Sequence, residues 1–193
     1  MKRLTSFVVL ALAAAGAVQA QTPVPASADD QSLFKQFIAI CDANDADAAR
    51  VERQARIAGY LKTPDLYAAR AVVPNIRQQK TLWKTFEGKV LVVTTGRAPV
   101  AGIPGADSDV CALSTAPAAA SEVSAFRRWA EVPGTTSPTG VSYFYLQSAG
   151  PHQSLANAAG PAIQNAITSG QTRVAFSAST DANTVFILFR PKP

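Results

Sequence analysis

The chain is 193 residues long, 48% hydrophobic and 16% charged, with a formal net charge of +5. That composition excludes a disordered chain, and the length allows a sizeable core without requiring a second domain. Two cysteines and a single histidine are too few to complete a zinc site.

Residues 1–20, MKRLTSFVVLALAAAGAVQA, have the layout of a secretory signal peptide. Lys2 and Arg3 form the positive start, Leu4 to Val18 the apolar run, and Val18-Gln19-Ala20 the small-residue cleavage site. The run falls short of the ~20 apolar residues of a membrane-spanning helix, so cleavage after Ala20 is expected and no transmembrane segment is expected to remain. Gln21 to Asp30 is expected to be a mobile mature start, and residues 31–193 a single globular domain. Losing Lys2 and Arg3 lowers the charge from +5 to +3. The remaining charge is uneven: Gln21 to Ala49 carries −4, Arg50 to Arg97 carries +7, and the rest is neutral. An anionic partner would meet that middle third.

Leu33, Phe34, Phe37, Ile38 and Cys41 recur at spacings of three and four, which predicts a helix over Gln31 to Asp42 with Asp29 or Asp30 as its cap. A second helix is predicted from about Asp45 to Ala58, with Ala48, Val51, Ala55 and Ala58 inward, Arg50, Arg53 and Arg56 outward, and Gly59 as its stop. Lys80 to Phe86 and Lys89 to Thr95 read as a hairpin closed by Glu87-Gly88, and Asp109 to Ser114 as a third strand. Pro117 to Ala130 reads as a helix, Val132 to Gly140 as a loop and Val141 to Gln147 as a strand. Ser154 to Thr168 reads as a helix that Gly160-Pro161 should break or restart. Thr172 to Ala178 and Thr184 to Arg190 close the chain as strands. Val185 to Phe189 is apolar at every position, so this last strand should lie centrally with both faces covered. The expected fold is α+β, a mainly antiparallel sheet of about five to six strands with N-terminal helices packed on it and one disulfide.

An even cysteine count in an oxidising compartment predicts a Cys41–Cys111 disulfide, and neither residue has redox or metal spacing. His152 would have to carry any triad chemistry, yet its loop context and the absence of a G-x-S-x-G elbow favour a solvated residue. Asp42 to Asp47 superficially resembles a calcium loop but lacks the glycine and the closing glutamate, so capping of the second helix is the expected role. The long Gly96 to Ser108 segment is expected to be a surface loop. Trp83, Trp129, Tyr143, Phe144 and Tyr145 are expected mainly in the core. Arg50, Arg53, Arg56 and Lys62 are the best candidates for anion binding, and no metal or other cofactor is expected.

Phe37-x-x-x-Cys41, the alanine-rich helix ending in Gly59-Tyr60, Trp83 and the later Cys111 together resemble small exported bacterial proteins of no assigned activity. The resemblance covers about half the mature chain, implies a disulfide-stapled envelope domain and carries over no catalytic residue. The leading expectation is a periplasmic or secreted accessory protein that binds an envelope component or another protein without turnover. One alternative is a hydrolase of envelope material using His152. Another is electrostatic binding of anionic lipid or wall polymer through the Arg50–Arg97 region. Nucleic acid is not expected as a partner.

Overall fold

In a computed structural model, residues 32–62, 73, 75–99, 107–148 and 150–192 are described. The expected signal peptide, the Gln21 to Asp30 start and the proposed caps Asp29 and Asp30 lie outside them. Helix α1 (Leu33–Phe37) begins instead at Ser32, whose side chain accepts from the Lys35 N–H. It runs into a π-turn over Ile38–Asp42, where the Ala43 N–H reaches back five residues to the Ile38 carbonyl. The wider turn brings both Ile40 and Cys41 inward beside Leu33 and Phe37, while Phe34 and Ile38 are only partly buried. Helix α2 (Ala48–Ile57) buries Val51 and Ala55. It ends in paired hydrogen bonds from Gly59 N–H to Arg56 O and Tyr60 N–H to Ala55 O, which require Gly59 to be left-handed, at φ +84°.

Nine strands follow: β1 (Leu61–Lys62), β2 (Arg77–Phe86), β3 (Lys89–Pro99), β4 (Asp107–Ala116), β5 (Gly134–Ser137), β6 (Gly140–Leu146), β7 (Gln153–Ser154), β8 (Thr172–Ser179) and β9 (Thr184–Pro191). Helix α3 (Val123–Ala130), preceded by a 3₁₀ turn at Ala120–Glu122, lies between β4 and β5, and α4 (Gly160–Thr168) lies between β7 and β8. All pairings are antiparallel, in the order β1-β2-β3-β4-β9-β8-β6-β5, with β7 on β6. The sheet is thus larger than the five or six strands expected, and two of the four helices are interspersed among strands and not N-terminal. The extra strands are short. β1 and β7 have two residues each, too few for any periodicity, and β5 is a Gly-Thr-Thr-Ser stretch inside the predicted loop, ordered by pairing with β6. Gly160-Pro161 starts α4, the restart that the sequence allowed, because Pro is favoured in the first turn where its missing N–H has no intrahelical partner; the predicted helical residues before it, from Ser154, are not helical.

The register places Leu91, Val93, Cys111, Leu113, Phe186, Leu188, Ala175, Tyr143 and Tyr145 on one face, beneath α1, α2 and α3. Phe126 of α3 stacks on Phe186 at 4.5 Å between centroids, and Phe37 meets both rings edge-on or tilted. The Cys41–Cys111 disulfide, with Cα atoms 5.4 Å apart, ties the π-turn to the centre of β4. Glu122 adds a polar tie, its Oε2 accepting from the Phe34 N–H at 2.6 Å. On the opposite face, Val73, Ala98, Val110, Ala112, Val185 and Ile187 form a smaller buried cluster. Strand β9 lies between β4 and β8 with Phe186 and Leu188 on one side and Val185 and Ile187 on the other, all at most 3% exposed. Its continuous apolar run therefore matches a central strand covered on both faces.

Candidate functional site

One end of the helix-facing side of the sheet is polar. The register sets Arg97 of β3 beside Asp109 of β4, Asp109 beside Arg190 of β9, and Arg173 of β8 beside Tyr145 of β6. The loop between the π-turn and α2 lays its carboxylates across this row. Asp45 and Ala46 both take left-handed backbone, at φ 54° and 52°. That conformation is unfavourable for Ala but tolerable for Asp, and burial of Ala46 holds it in place. The turn aims Asp45 at the sheet, where it accepts from Arg173 Nε at 2.6 Å and from Arg190 Nη1 at 3.0 Å. Arg173 Nη1 also donates to the carbonyls of Gly170 and Thr172. Asp109 accepts from Arg190 Nη2 at 2.5 Å and pairs with Lys192 Nζ at 3.0 Å and, more loosely, with Arg97. Asp45 therefore works mainly as a long-range counter-ion, whereas Asp47 is the expected helix cap, accepting from the N–H groups of Ala49 and Arg50.

Those backbone hydrogen bonds, with the nearby Arg50 and Arg190, hold the Asp47 carboxyl below its usual range. Asp47→Ala should therefore cost about 1 kcal/mol at neutral pH, the usual worth of such a cap. Because the folded-state pKa is depressed, this contribution is full above the unfolded value and is lost as pH falls through the folded one. Denaturation curves of the two proteins should converge in acid; a gap that persists there would contradict the capping role. Asp42 behaves oppositely. Burial raises its pKa despite His152 and a hydrogen bond from the Trp129 side chain, so its ionisation opposes folding as pH rises.

A concavity of about 260 Å³ opens beside the row, lined by Asp47, Gln78, Gly96, Arg97, Asp109 and Lys192 among others. Its cations face its own carboxylates, so it offers no excess of either charge. Gly96 lines it because a Cβ there would fall 2.6 Å from the Arg77 carbonyl. Gly96 to Pro99 belong to β3 and Asp107 and Ser108 to β4, so the predicted loop is shorter at both ends; the remainder lies outside the described residues.

His152 is not the solvated residue expected from its loop. Its Nδ1 donates to the Ala130 carbonyl at 3.0 Å, its ring stacks on Tyr145 at 4.1 Å, and Trp129 meets it edge-on at 5.5 Å. The ring thus extends the aromatic core wall, with Tyr143 and Tyr145 fully inside and Phe144 alternating to the other face. No hydroxyl or thiol among the described residues is hydrogen-bonded to it, and the apposed carboxylate, Asp42, is tied to Trp129.

The basic third is dispersed. Arg77 pairs with Asp107, Lys80 and Arg56 share Glu52, and Lys84 lies over the Tyr60 ring. Arg70 lies outside the described residues. The four candidate anion-binding residues are all exposed, three along the outer side of α2 and Lys62 on the edge strand β1. Arg50 lies 3.8 Å from Asp47, whereas Arg53 and Lys62 have no ion-pair partner among the described residues. Among the described residues two large hydrophobic side chains stay exposed that were not among the candidates: Ile57, at 73% on the outer side of α2, and Leu61, at 63% on β1, whose pairing with Trp83 turns it to the face away from α2. Spacing signals Ile57, since it falls four residues after Arg53 and off the Val51–Ala55 face. Leu61 carries no comparable signal.

Comparison with protein-family models, with curated proteins and with solved structures finds no match for this chain.

Proposed function

We propose that this protein is an exported accessory domain that binds an anionic component of the cell envelope through the outer side of α2 and the adjoining edge strand, without turnover. The observation that carries the reading is the concentration of exposed cations at one corner, Arg50, Arg53 and Arg56 on α2 and Lys62 on β1. Arg56 shares Glu52 with Lys80 and Arg50 lies 3.8 Å from Asp47, so Arg53 and Lys62, which have no ion-pair partner among the described residues, are the cations most available to an anion. Guanidinium groups on the solvent side of a helix anchored by Val51 and Ala55 present donors for phosphate or carboxylate at no cost to the core. Export is supported by the composition of residues 1–20 and by the disulfide.

Retention on phosphocellulose, a phosphate-bearing polymer, tests the reading. Replacing Arg53, Arg56 and Lys62 together by Ala should weaken binding roughly tenfold or more, since each cation near an anionic surface contributes about 1 kcal/mol, screened by salt. Replacing Lys89, Arg127 and Arg128, which are also exposed, removes the same charge elsewhere and should change retention far less. Equal weakening by both triple variants would reduce the interaction to net charge and reject the proposed face.

A further inference from the structure

We infer that the concavity beside the polar row binds a small zwitterion of the amino-acid class, whose carboxylate meets Arg97 and the Gln78 amide and whose ammonium meets Asp47. This site goes beyond the outer face of α2 and uses none of its cations.

Asp109, whose side chain is 8% exposed, lies in the wall of the concavity and holds Arg190 and Lys192 closely. Arg97 is left 3.8 Å from it, beyond hydrogen-bond reach, with 45% of its side chain exposed. Its guanidinium therefore keeps its donors, which match a carboxylate in pairs. Asp47 also keeps an acceptor: Oδ1 takes the N–H groups of Ala49 and Arg50, whereas Oδ2 meets only Arg190 among the described residues, at 3.9 Å. An ammonium group suits that oxygen. Because the lining is balanced in charge, a lone anion or cation gains one partner and meets one like charge, whereas a zwitterion satisfies both.

The remaining wall is built at a local cost. The β2–β3 register slips between Arg77 and Lys80, and inside that bulge Gln78 takes left-handed backbone, at φ 51°. Bulges re-aim side chains beside sites, and an unfavourable φ persists only where the surroundings impose it. Gly96 permits the bulge, since a Cβ there would also lie 2.9 Å from the Ile76 side chain. The Gln78 side chain packs into no core: it is exposed, lines the concavity and makes no hydrogen bond among the described residues. At about 260 Å³ the space is near the lower end of small-ligand clefts, roughly 300–1,000 Å³, which limits the occupant to amino-acid size.

Melting temperatures of the mature protein with each standard amino acid at millimolar concentration, beside acetate and methylammonium as the separate halves, test the inference. At least one amino acid should raise the midpoint by roughly 3 °C or more, and neither half alone should do so. Asp47→Asn retains a good helix cap but removes the charge, and Arg97→Gln removes the guanidinium; each should abolish the rise. Gln78→Gly relieves the backbone, so it should leave the unliganded midpoint unchanged or higher while weakening the affinity, read by calorimetric titration, roughly threefold or more. A purely structural Gln78 would not separate the two readouts in this way. No rise with any amino acid, an equal rise with acetate or methylammonium, a rise that survives the Asp47 and Arg97 substitutions, or an affinity indifferent to Gln78→Gly overturns the inference. The double variant Asp47→Asn with Arg97→Gln leaves the net charge unchanged, so it should bind phosphocellulose like the native protein; loss of that retention would merge this site with the face of α2 and overturn their separation.

Discussion

Replacing Cys41 and Cys111 together by Ala should lower the free energy of unfolding by about 4 kcal/mol, because the bridge closes a loop of 70 residues and so constrains the unfolded chain. Both positions are 0% exposed and surrounded by apolar side chains, which makes Ala preferable to Ser: a serine would add an unsatisfied hydroxyl to the core. Among the described residues no backbone hydrogen bond joins the π-turn to the sheet, so the bridge is the covalent tie between two elements that are packed together. For a domain of this size such a loss corresponds to a melting temperature roughly 8–16 °C lower. Guanidinium denaturation of the variant, and of the native protein after reduction, should give matching midpoints. A loss below about 1 kcal/mol would mean that the unfolded chain is already compact around this loop. Because several kcal/mol is a large share of the 5–15 kcal/mol typical of a domain, the reduced protein should also be far more susceptible to proteolysis.

The parts of the fold that could be read in advance are those in which neighbours along the chain are also neighbours in space. Leu33, Phe37 and Cys41 mark an inward stripe by spacing alone, Glu87-Gly88 marks the β2–β3 turn, and the unbroken run at Val185 to Phe189 marks a central strand. Strand β5 had no such mark: Gly134 to Ser137 is fully exposed and polar and exists because β6 is there to pair with it. The candidate face was legible in its charges, since Arg50, Arg53 and Arg56 follow from helical spacing. The exposure of Leu61 was not, because it depends on β1 lying at the edge of the described sheet. His152 shows the same dependence. The ring is placed by Tyr145, seven residues before it, and by Trp129 and the Ala130 carbonyl from α3, none of which a loop context reveals. Least legible was the polar row. Asp42 to Asp47 reads locally as a set of caps, and only the β8–β9 register brings Arg173 and Arg190 to Asp45 from 128 and 145 residues away.

That row carries the second large effect: Asp45→Asn should destabilise the protein by about 3 kcal/mol, the cost of leaving a buried cation without its counter-charge. Asn tolerates the left-handed backbone at this position nearly as well as Asp, so the substitution tests the charge and not the turn. The Arg173 side chain is 8% exposed and cannot recover water when the carboxylate is lost, whereas Asp45, at 32%, is partly hydrated already. The partners are therefore unequal. Removing the carboxylate strands Arg173 next to Arg190, two like charges side by side, while removing Arg173 leaves Asp45 with Arg190 still in place. Arg173→Met should accordingly cost less than Asp45→Asn, and the double variant should recover more than half of the single Asn loss, because a buried pair replaced by apolar atoms is nearly neutral. The loss should change little between low and moderate salt, since burial shields the pair from counter-ions. Strictly additive single effects would show that Asp45 stabilises only its own loop. Coupling of the predicted sign would mean that the same acidic segment both starts α2, through Asp47, and fixes it to the sheet, through Asp45. The exposed cations of α2 would then owe their fixed orientation to a row of arginines on the strands beneath them.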